Sequence, residues 1–349
     1  MKEAGRIALP NSPDHIVYTL ENKPVVPLEH TLVFPDKKEF AISWRNNFAR
    51  MEQIAELVRK AEIVQEEGTY NVPLDNPKIP YCMGLVLSDL HIGSYNTDYP
   101  LIKSLIDTVR ETPNSFLIDD GDTFDNGIFM GLQFEQILSP GMQAFTAEDL
   151  MREVGDKWAA TTLGNHTEWL FNAAGQKPEQ IFAKGIKGPI FAGMGLLHLN
   201  AGKQKYDIAM AHNYWGKSKI NIFNTCVRLR ENEYPRADMY VVGHEHIWGH
   251  MKEASDGREV LYIRPGTAKT QDRYARVHGI AKRGQKCGIA VIFGTEDRTF
   301  EAHPVADAVE LMQLRKTISE LSPRGNPIFP TKQKQDTVVL PVFLLLYAV

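Results

Sequence analysis

Cysteine is scarce in this chain of 349 residues, and it never occurs in a paired motif. The three cysteines, Cys82, Cys226 and Cys287, are odd in number, far apart in the chain and not arranged as Cys-x-x-Cys. We therefore expect neither a disulfide framework nor a structural zinc site. Unpaired cysteines are typical of a reducing compartment, so we expect a cytoplasmic protein.

The chain also lacks a strong charge of one sign. Its 39 basic and 43 acidic side chains give a net charge of −4, so no global basic field attracts nucleic acid or membrane. The first residues lack the apolar core of a signal peptide, and we expect no secretion signal. The apolar run Val338–Val349 is too short to span a bilayer and contains Pro341. We predict a packed terminal strand or tail there, with an interaction tail or a non-native end as alternatives.

The distribution of proline predicts three parts of the chain. Prolines are frequent before residue 40, and Ser43 could cap an amphipathic helix that runs to about Glu67. Gly68 would end this helix, and further prolines would form a linker. We predict an N-terminal extension over 1–80, a main domain over 81–305, and a C-terminal helix with the apolar tail over 306–349. A small module that binds a partner or DNA is the alternative for the N-terminal helix.

In the sequence of the main domain, short apolar runs alternate with amphipathic segments. The apolar runs predict buried strands at Cys82–Leu87, Ser115–Ile118, Ala159–Leu163, Tyr206–Ala211, Met239–Val242 and Val260–Ile263. Helices are predicted between them, at about Tyr99–Glu111 and Phe134–Val154. This alternation indicates an α/β architecture.

Polar side chains follow five of these apolar runs at the point where each run ends. The motifs are Asp89-x-His91, Gly121-Asp122-x-x-Asp125, Gly164-Asn165-His166, a single His212, and Gly243-His244-x-His246. Sites in α/β sheets form just past the carboxyl ends of strands, so we expect these motifs to meet. On an extended backbone, residues two apart point the same way, and we expect the two imidazoles of the last motif to face one direction.

The residue types in these motifs suit a pair of metal ions. Carboxylates together with imidazoles favour Mn, Fe, Zn or Ni over Mg or Ca. Two ions close together need a shared carboxylate, and Asp122 is the natural bridge because it lies in the middle of the set. Such ions lower the pKa of a bridging water, so we expect two divalent ions, with Mn²⁺ preferred and Fe, Zn or Ni as alternatives.

These motifs resemble those of the calcineurin-like metallophosphoesterase superfamily, with a looser likeness to phage-type phosphoesterases. The resemblance implies a four-layer α/β/β/α sandwich of two mixed sheets flanked by helices, with the metal site at the carboxyl ends of strands. It also implies roles for individual residues: Asp89, His91 and His246 on the first metal, Asp122 as the bridge, Asn165, His212 and His244 on the second metal, and His166 as the catalytic histidine that protonates the leaving oxygen. Asp125 would fix the loop or support the ligands.

The sequence departs from the usual family pattern in two motifs. The family usually has an acidic residue after Gly-Asn-His, where this chain has Thr167 followed by Glu168. Either of these side chains could orient His166. In the last motif Glu245 stands between two histidines, and we expect it to point away from them. Asn126 stands where protein phosphatases of the superfamily usually have arginine, which argues against a phosphoprotein substrate.

A basic segment over residues 264–286 suggests a polyanionic substrate. Arg264, Lys269 and Arg273 in this segment are possible substrate contacts, although a solvated surface loop would look the same. We therefore expect a dinuclear phosphodiesterase that cleaves nucleic acid or another phosphodiester by attack of a metal-bridging hydroxide, with no membrane partner. A phosphomonoesterase acting on nucleotides or small phosphorylated molecules is the second hypothesis. A metal-binding scaffold with weak catalysis is the third.

Overall fold

The computed structural model describes residues 48–49, 51–56, 64–128, 132–255, 257–270 and 286–321. The chain divides into two compact units, residues 1–62 and 63–349. In the first unit the described residues are helical, in agreement with the part of the predicted helix that they cover. The Pro-rich lead-in, Arg273 and the apolar tail lie outside the described residues. No helix in the described part of the chain has both the length and the apolar character needed to cross a membrane.

The described part of the second unit is built around eleven strands. They are β1 (Gln65–Asn71), β2 (Tyr81–Leu87), β3 (Ser115–Asp119), β4 (Trp158–Thr162), β5 (Ile190–Ala201), β6 (Gln204–Ala211), β7 (Met239–Val242), β8 (Trp248–Ser255), β9 (Arg258–Pro265), β10 (Ile289–Gly294) and β11 (Phe300–His303). Their order in the sheet is β11-β10-β2-β3-β4-β5-β6-β7-β9-β8, and β1 pairs with β5 off this path. The predicted α/β class and all six predicted strands are confirmed.

The strands form one mixed sheet, so the expectation of two separate sheets was wrong. The continuity depends on β5, whose first residues Ile190 and Phe191 pair with β4 while its later residues pair with β6. A ladder of only two residue pairs therefore joins two halves that would otherwise be independent. The outermost strands approach each other as well, because Lys252 Nζ of β8 donates to the carbonyl of Phe300 in β11 at 3.1 Å. The sheet is thus nearly closed.

Helices cover the outer faces of the sheet. In the described part of the second unit they are α1 (Tyr99–Glu111), α2 (Pro140–Val154), α3 (Asn165–Ala174), α4 (Pro178–Gly185), α5 (Asn224–Asn232) and α6 (Val305–Leu321). Helix α1 begins and ends where the sequence predicted, and Asp98 caps it by accepting from the amide of Leu101 at 3.0 Å. The predicted helix over 134–154 is divided into a 3₁₀ turn at Leu132–Glu135 and α2, with Pro140 in the first turn of α2.

One large apolar core lies between the two halves of the sheet. Val86 of β2 and Ile118 of β3 pack in one buried cluster with Met210 of β6 and Val241 of β7. A second cluster joins β2, β3 and β4 to α1, α2 and α4, and a third joins β6, β7 and β9 to α5. The layers are therefore helices, one half of the sheet, the other half, and helices. Each fully buried aliphatic side chain contributes about 1.5–3 kcal/mol to this packing.

The segment before residue 81 differs from the sequence prediction. The predicted helix was to reach Glu67, but Gln65–Asn71 form strand β1, which pairs in parallel with β5. Gly68 does not end a helix; a Cβ at this position would lie 2.3 Å from Pro189 Cβ, so glycine allows the two strands to approach. Tyr70 is buried in the central core. Pairing and burial outweigh the local helical pattern, and the compact unit begins at residue 63.

Candidate metal centre

Each motif predicted from the sequence follows the carboxyl end of a strand. Asp89 and His91 follow β2, Asp122 and Asp125 follow β3, Asn165 and His166 begin α3 after β4, His212 directly follows β6, and His244 and His246 follow β7. Strands β2, β3 and β4 are parallel neighbours, and so are β6 and β7. Their carboxyl ends therefore bring the motif side chains together.

The loops that carry these side chains have a backbone conformation that is rare outside glycine. The angle φ is 54° at Asp89, 51° at His91, 52° at Asp122, 65° at His244 and 55° at His246. A non-glycine residue in this region costs of the order of 1–3 kcal/mol, and such residues cluster at functional sites. The chain turns sharply at each of these residues, so one short loop can direct side chains to different places.

The placement of His244 and His246 corrects one sequence-based expectation. We expected both imidazoles to face one direction from an extended strand. Strand β7 instead ends at Val242, and positive φ at both histidines breaks the two-residue alternation of an extended chain. His246 approaches Asp89, whereas the His244 ring lies 5.4 Å from that of His212. The motif therefore contributes one histidine to each of two groups.

The first group consists of Asp89, His91 and His246, whose donor atoms converge. Asp89 Oδ1 lies 3.2 Å from His246 Nε2 and 3.7 Å from His91 Nε2, and the two Nε2 atoms are 3.1 Å apart. The other oxygen, Asp89 Oδ2, accepts from Ser88 Oγ at 2.6 Å and from the amide of His244 at 2.9 Å. Oδ1 is buried and has no hydrogen-bond partner among the described residues.

The second group consists of Asp122, His212 and His244. His212 Nε2 lies 2.9 Å from Asp122 Oδ2, and His212 Nδ1 donates to the carbonyl of Asp120 at 2.6 Å. Asp122 Oδ1 accepts from the amide of His166 at 2.8 Å. These bonds fix the ring and the carboxylate and leave Nε2 and Oδ2 facing each other.

The tautomers that these contacts imply fit a bound cation in both groups. The Nδ1 proton of His212 is donated to a carbonyl, so Nε2 is an acceptor that faces the carboxylate of Asp122. His91 Nδ1 lies 2.9 Å from Asp125 Oδ1, so its proton also belongs on Nδ1, and its Nε2 faces the Nε2 of His246. Facing lone pairs repel unless a proton or a cation lies between them. A shared proton satisfies each of these contacts in the metal-free protein, and divalent metal ions suit the same donor set.

A third set of possible donors, His91, Asp125 and His166, is a poor cation site. Lys269 Nζ lies 2.6 Å from Asp125 Oδ1, and both side chains are almost completely buried. The ammonium already neutralises this carboxylate and would repel a metal ion. Gln136 also donates to Asp125 Oδ2. Asp125 therefore fixes the orientation of the His91 ring by contacting its Nδ1 atom.

Asn165 and the motif glycines complete the centre. Asn165 Oδ1 is buried without a hydrogen-bond partner in the described part of the chain. A Cβ at Gly164 would lie 2.1 Å from Asp122 Oδ1, and one at Gly243 would lie 3.0 Å from Asp89 Oδ2. Glycine is required at both positions because the backbone passes directly against a carboxylate of each group.

His166 lies at the start of α3 beside both groups. Its Nδ1 hydrogen-bonds the backbone carbonyl of Asp125, and its ring meets the His91 ring edge to face at 4.7 Å. Trp169, one turn later, packs its ring 4.2 Å from the imidazole. These contacts fix the ring orientation, and the side chain retains 13% exposure. An acidic residue directly after His166 is thus not needed to orient it.

Thr167 and Glu168 do not take the orienting role considered for them. Thr167 is buried, and its Oγ1 has no hydrogen-bond partner among the described residues. Glu168 is exposed and lines a cavity of about 310 Å³ beside the second group. Within the described chain, neither side chain hydrogen-bonds the His166 ring, and the Asp125 carbonyl fills that place. The signal for this contact was present in the sequence, since Asp125 belongs to the preceding motif.

Burial and pairing with a carboxylate shift the pKa values of the histidines at the site in opposite directions. Burial lowers the pKa of His166 to about 4 and that of His244 to about 4, so both rings are neutral near pH 7. Burial also opposes protonation of His212, but the Asp122 carboxylate raises its pKa to about 10. The same pairing holds the pKa of Asp122 well below its usual range, although burial alone would raise it. A divalent ion would take the place of the proton on His212.

The basic residues proposed as substrate contacts are turned inward. Arg264 is 1% exposed, and its guanidinium donates to Thr225 Oγ1 at 2.7 Å and to Glu245 Oε2 at 2.8 Å. Lys269 is 3% exposed and pairs with Asp125. Charge runs in a sequence suggest an exposed face, but here the partner carboxylates lie in other motif loops. Arg273 lies outside the described residues.

Two contacts that support the centre were not predicted from the sequence, although Asp120 was expected to structure its loop. Ser88 Oγ donates to Asp89 Oδ2, and the Asp120 carbonyl orients His212. The carboxylate of Asp120 is itself held by Thr162 Oγ1 at 2.9 Å. The adjacency of Ser88 to Asp89 was a usable signal. The bond between Asp120 and His212, however, spans two strands that are distant in the chain.

Comparison with known proteins agrees with this geometry. Residues 85–248 match the family model for calcineurin-like phosphoesterases, and this range contains all five motifs. No curated protein matches the chain in sequence. Similar solved structures include a candidate 5′-nucleotidase from Staphylococcus aureus (14% identity, 68% of this chain and 58% of that chain, TM-score 0.39), the calcineurin-like phosphoesterase YfkN from Bacillus subtilis (12%, 69% and 98%, 0.34) and Vps29 from Entamoeba histolytica (11%, 63% and 97%, 0.34).

The likenesses to solved structures are distant, and the chain spans less than two thirds of the length of the staphylococcal protein. The family model instead covers the residues whose donor atoms converge in the two groups. On this match residues 85–248 are a calcineurin-like phosphoesterase domain, and this family consists of metallophosphoesterases, hydrolases of phosphoric ester bonds.

Proposed function

We propose that the protein is a phosphodiesterase that depends on two divalent metal ions. Asp89, His91 and His246 would hold one ion. The second would be held by Asp122, which also bridges, together with Asn165, His212 and His244. The observation that supports this most directly is the pair of close contacts between donor atoms, His91 Nε2 to His246 Nε2 at 3.1 Å and His212 Nε2 to Asp122 Oδ2 at 2.9 Å, each of which needs a proton or a cation between the two atoms.

The mixed donor set guides the choice of metal. Imidazole nitrogens and carboxylate oxygens together suit Mn, Fe, Zn or Ni, and neither group contains a cysteine. We propose Mn²⁺ as the first metal to test, with Fe, Zn and Ni as alternatives. Ions at these positions would supply Lewis acidity toward the phosphoryl oxygens and would lower the pKa of a water molecule.

The residues of this chain orient the substrate and handle the leaving-group proton. His166 is held by the Asp125 carbonyl through Nδ1, which leaves Nε2 for the substrate. In the free protein burial keeps this ring neutral near pH 7. The negative charge of a substrate phosphate beside the ring favours the protonated form. His166 would then donate this proton to the leaving oxygen as a general acid.

The charges around the centre favour a diester over a monoester. A monoester carries up to two negative charges on its phosphate, whereas a diester carries one. Arg264 and Lys269 are buried against carboxylates, and Asn126 stands where related protein phosphatases usually have arginine. Because Arg264 and Lys269 are already paired with carboxylates, they neutralise less charge on a substrate, which fits the single negative charge of a diester. Nucleic acid is one candidate diester, although the burial of Arg264 and Lys269 removes part of the argument for it.

The test compares a generic diester with its monoester. We would measure hydrolysis of bis-p-nitrophenyl phosphate and p-nitrophenyl phosphate with Mn²⁺ for wild type, Asp122→Asn and His166→Ala. Asp149→Asn and His198→Ala are matched controls, since Asp149 is an exposed partner of Arg152 and His198 pairs with Asp207 on the sheet surface. Diester turnover that both site variants abolish, and both controls retain, supports the proposal.

Other outcomes select the alternatives. Turnover of the monoester alone would make the protein a phosphomonoesterase. No turnover of either ester, with two metal ions bound per chain, would favour a metal-binding scaffold. Cleavage of DNA or RNA would be tested after diester turnover is established.

A further inference from the structure

A cavity of about 310 Å³ opens beside the second group, and no role has been assigned to it. Asn165 and His212 form the part next to the metal centre, while Glu168, Asn213 and Met194 line the remainder. His212 Nε2 faces Asp122 Oδ2 at 2.9 Å, and Asn165 Oδ1 lacks a hydrogen-bond partner among the described residues. The cavity is therefore continuous with the candidate metal centre.

The walls of this cavity are built from regular elements. Glu168 lies in the first turn of α3, which begins at Asn165, so the two side chains lie on one side of that helix. The opposite wall is the edge formed by Gly193 and Met194 of β5. The amide of His212 donates to the carbonyl of Gly193 at 2.9 Å and joins this wall to the metal-side residues. A pocket held in this way does not have to form when substrate arrives.

The lining has a definite chemical character. It contains one carboxylate at Glu168, two carboxamides at Asn165 and Asn213, the imidazole of His212, the thioether of Met194 and apolar carbon, and no lysine or arginine among the described residues that line it. A carboxylate accepts hydrogen bonds and attracts positive charge, but it repels a second phosphate or a carboxylate. The volume lies near the lower end of the range for small-molecule sites.

We propose that this pocket binds the alcohol portion of the substrate, and that it selects a small uncharged or cationic group with hydroxyl or amino donors. Glu168 is the specificity-determining residue that accepts from this group, and Met194 covers its carbon face. The assignment rests on the proposed function, because the phosphate must lie at the metal centre for the ester group to reach the pocket. A second phosphate, as in an oligonucleotide, is excluded from this side.

The test uses two ligands that differ at one group. Glycerol 3-phosphate and 3-phosphoglycerate have the same phosphate and the same carbon chain, but one ends in a hydroxymethyl group and the other in a carboxylate. We would measure their binding to the Mn²⁺-loaded full chain by calorimetry, and their inhibition of bis-p-nitrophenyl phosphate hydrolysis. Wild type should bind glycerol 3-phosphate about tenfold more tightly, since the carboxylate of the other ligand faces Glu168.

Glu168→Gln keeps the shape of the side chain and removes its charge. This variant should lose the preference, mainly by binding 3-phosphoglycerate more tightly. Glu179→Gln is the matched control, because Glu179 is close enough to influence the titration of Glu168 but does not line the pocket. The control should keep the wild-type preference.

Two results would overturn the assignment. One is equal binding of both ligands by wild type, and the other is a preference that Glu168→Gln and Glu179→Gln change to the same extent. Both are distinguishable from failure of the proposed function, in which wild type would not hydrolyse the generic diester. Phosphoethanolamine, whose ammonium group donates hydrogen bonds, serves as a cationic probe, and binding weaker than that of 3-phosphoglycerate would likewise contradict the proposal.

Discussion

Replacing Lys269 with methionine tests whether this lysine stabilises the metal centre through its buried ion pair with Asp125 or instead contacts substrate. Lys269 and Asp125 side chains are 1% and 0% exposed, and their charged atoms are 2.6 Å apart. Removing one member of a buried ion pair costs about 3–5 kcal/mol, because the remaining charge stays buried. His91 Nδ1, 2.9 Å from Asp125, partly compensates, so we expect the lower end of this range, about 3 kcal/mol.

The assay is urea unfolding of the metal-free protein near pH 7, followed by tryptophan fluorescence. In thermal unfolding, a loss of about 3 kcal/mol should lower the melting temperature by roughly 5 °C, since the unfolding entropy is about 2.1 cal/mol/K per residue over residues 63–349. Lys203→Met is the matched control. Lys203 pairs with Glu296, but these side chains are 74% and 53% exposed, so this variant should unfold like wild type.

Equal stability of Lys269→Met and Lys203→Met would contradict a stabilising ion pair between Lys269 and Asp125. A variant of unchanged stability with a raised KM would instead restore Lys269 to the role of a substrate contact. If Lys269 acts through its buried ion pair with Asp125, the variant should also bind metal more weakly, because Asp125 holds His91 in place.

Three further predictions concern the centre and the sheet. Gly164→Ala should reduce the metal content, because its Cβ would lie 2.1 Å from Asp122 Oδ1, whereas Gly141→Ala, with no atom within 4 Å, should bind metal like wild type. Metal analysis after dialysis against Mn²⁺ distinguishes the two variants. The His198 pKa is raised by Asp207, so this pair stabilises the fold fully below the ordinary histidine pKa of about 6.5, and the contribution is lost as the pH rises through the raised value. Unfolding measured across roughly pH 5.5–8.5 should show that the difference in unfolding free energy between wild type and His198→Ala grows toward low pH. A difference that does not change with pH would contradict this. Chelation of the metal ions should lower the melting temperature of wild type but not that of Asp122→Asn, since only wild type has a complete centre to lose.

The sequence was most informative where a motif directly follows a buried apolar run. The strands around Val86, Ile118 and Val241 are marked by continuous apolar residues, and the ligand candidates follow within a few positions. Parallel pairing then brings these positions to one edge without further information. For this reason the grouping of the candidate ligands could be predicted although their geometry could not.

The features that the sequence missed depend on contacts between distant segments or on single backbone angles. The direction of His244 and His246 depends on positive φ, which no local pattern in this loop indicates. The helical pattern before Glu67 gave way to pairing with β5, a partner more than a hundred residues later. The inward placement of Arg264 depends on Glu245 and Thr225, which lie in other loops. Hydrophobic periodicity does not carry such tertiary information.

The most direct test of the central claim is the number of metal ions that one chain binds. We would load the full chain with Mn²⁺, remove excess metal by gel filtration, and determine metal per chain by inductively coupled plasma mass spectrometry for wild type and Asp122→Asn. We expect two ions per wild-type chain and a clear loss in the variant, because Asp122 would serve both positions. Wild type with no bound metal, or a variant that retains two ions, would contradict it.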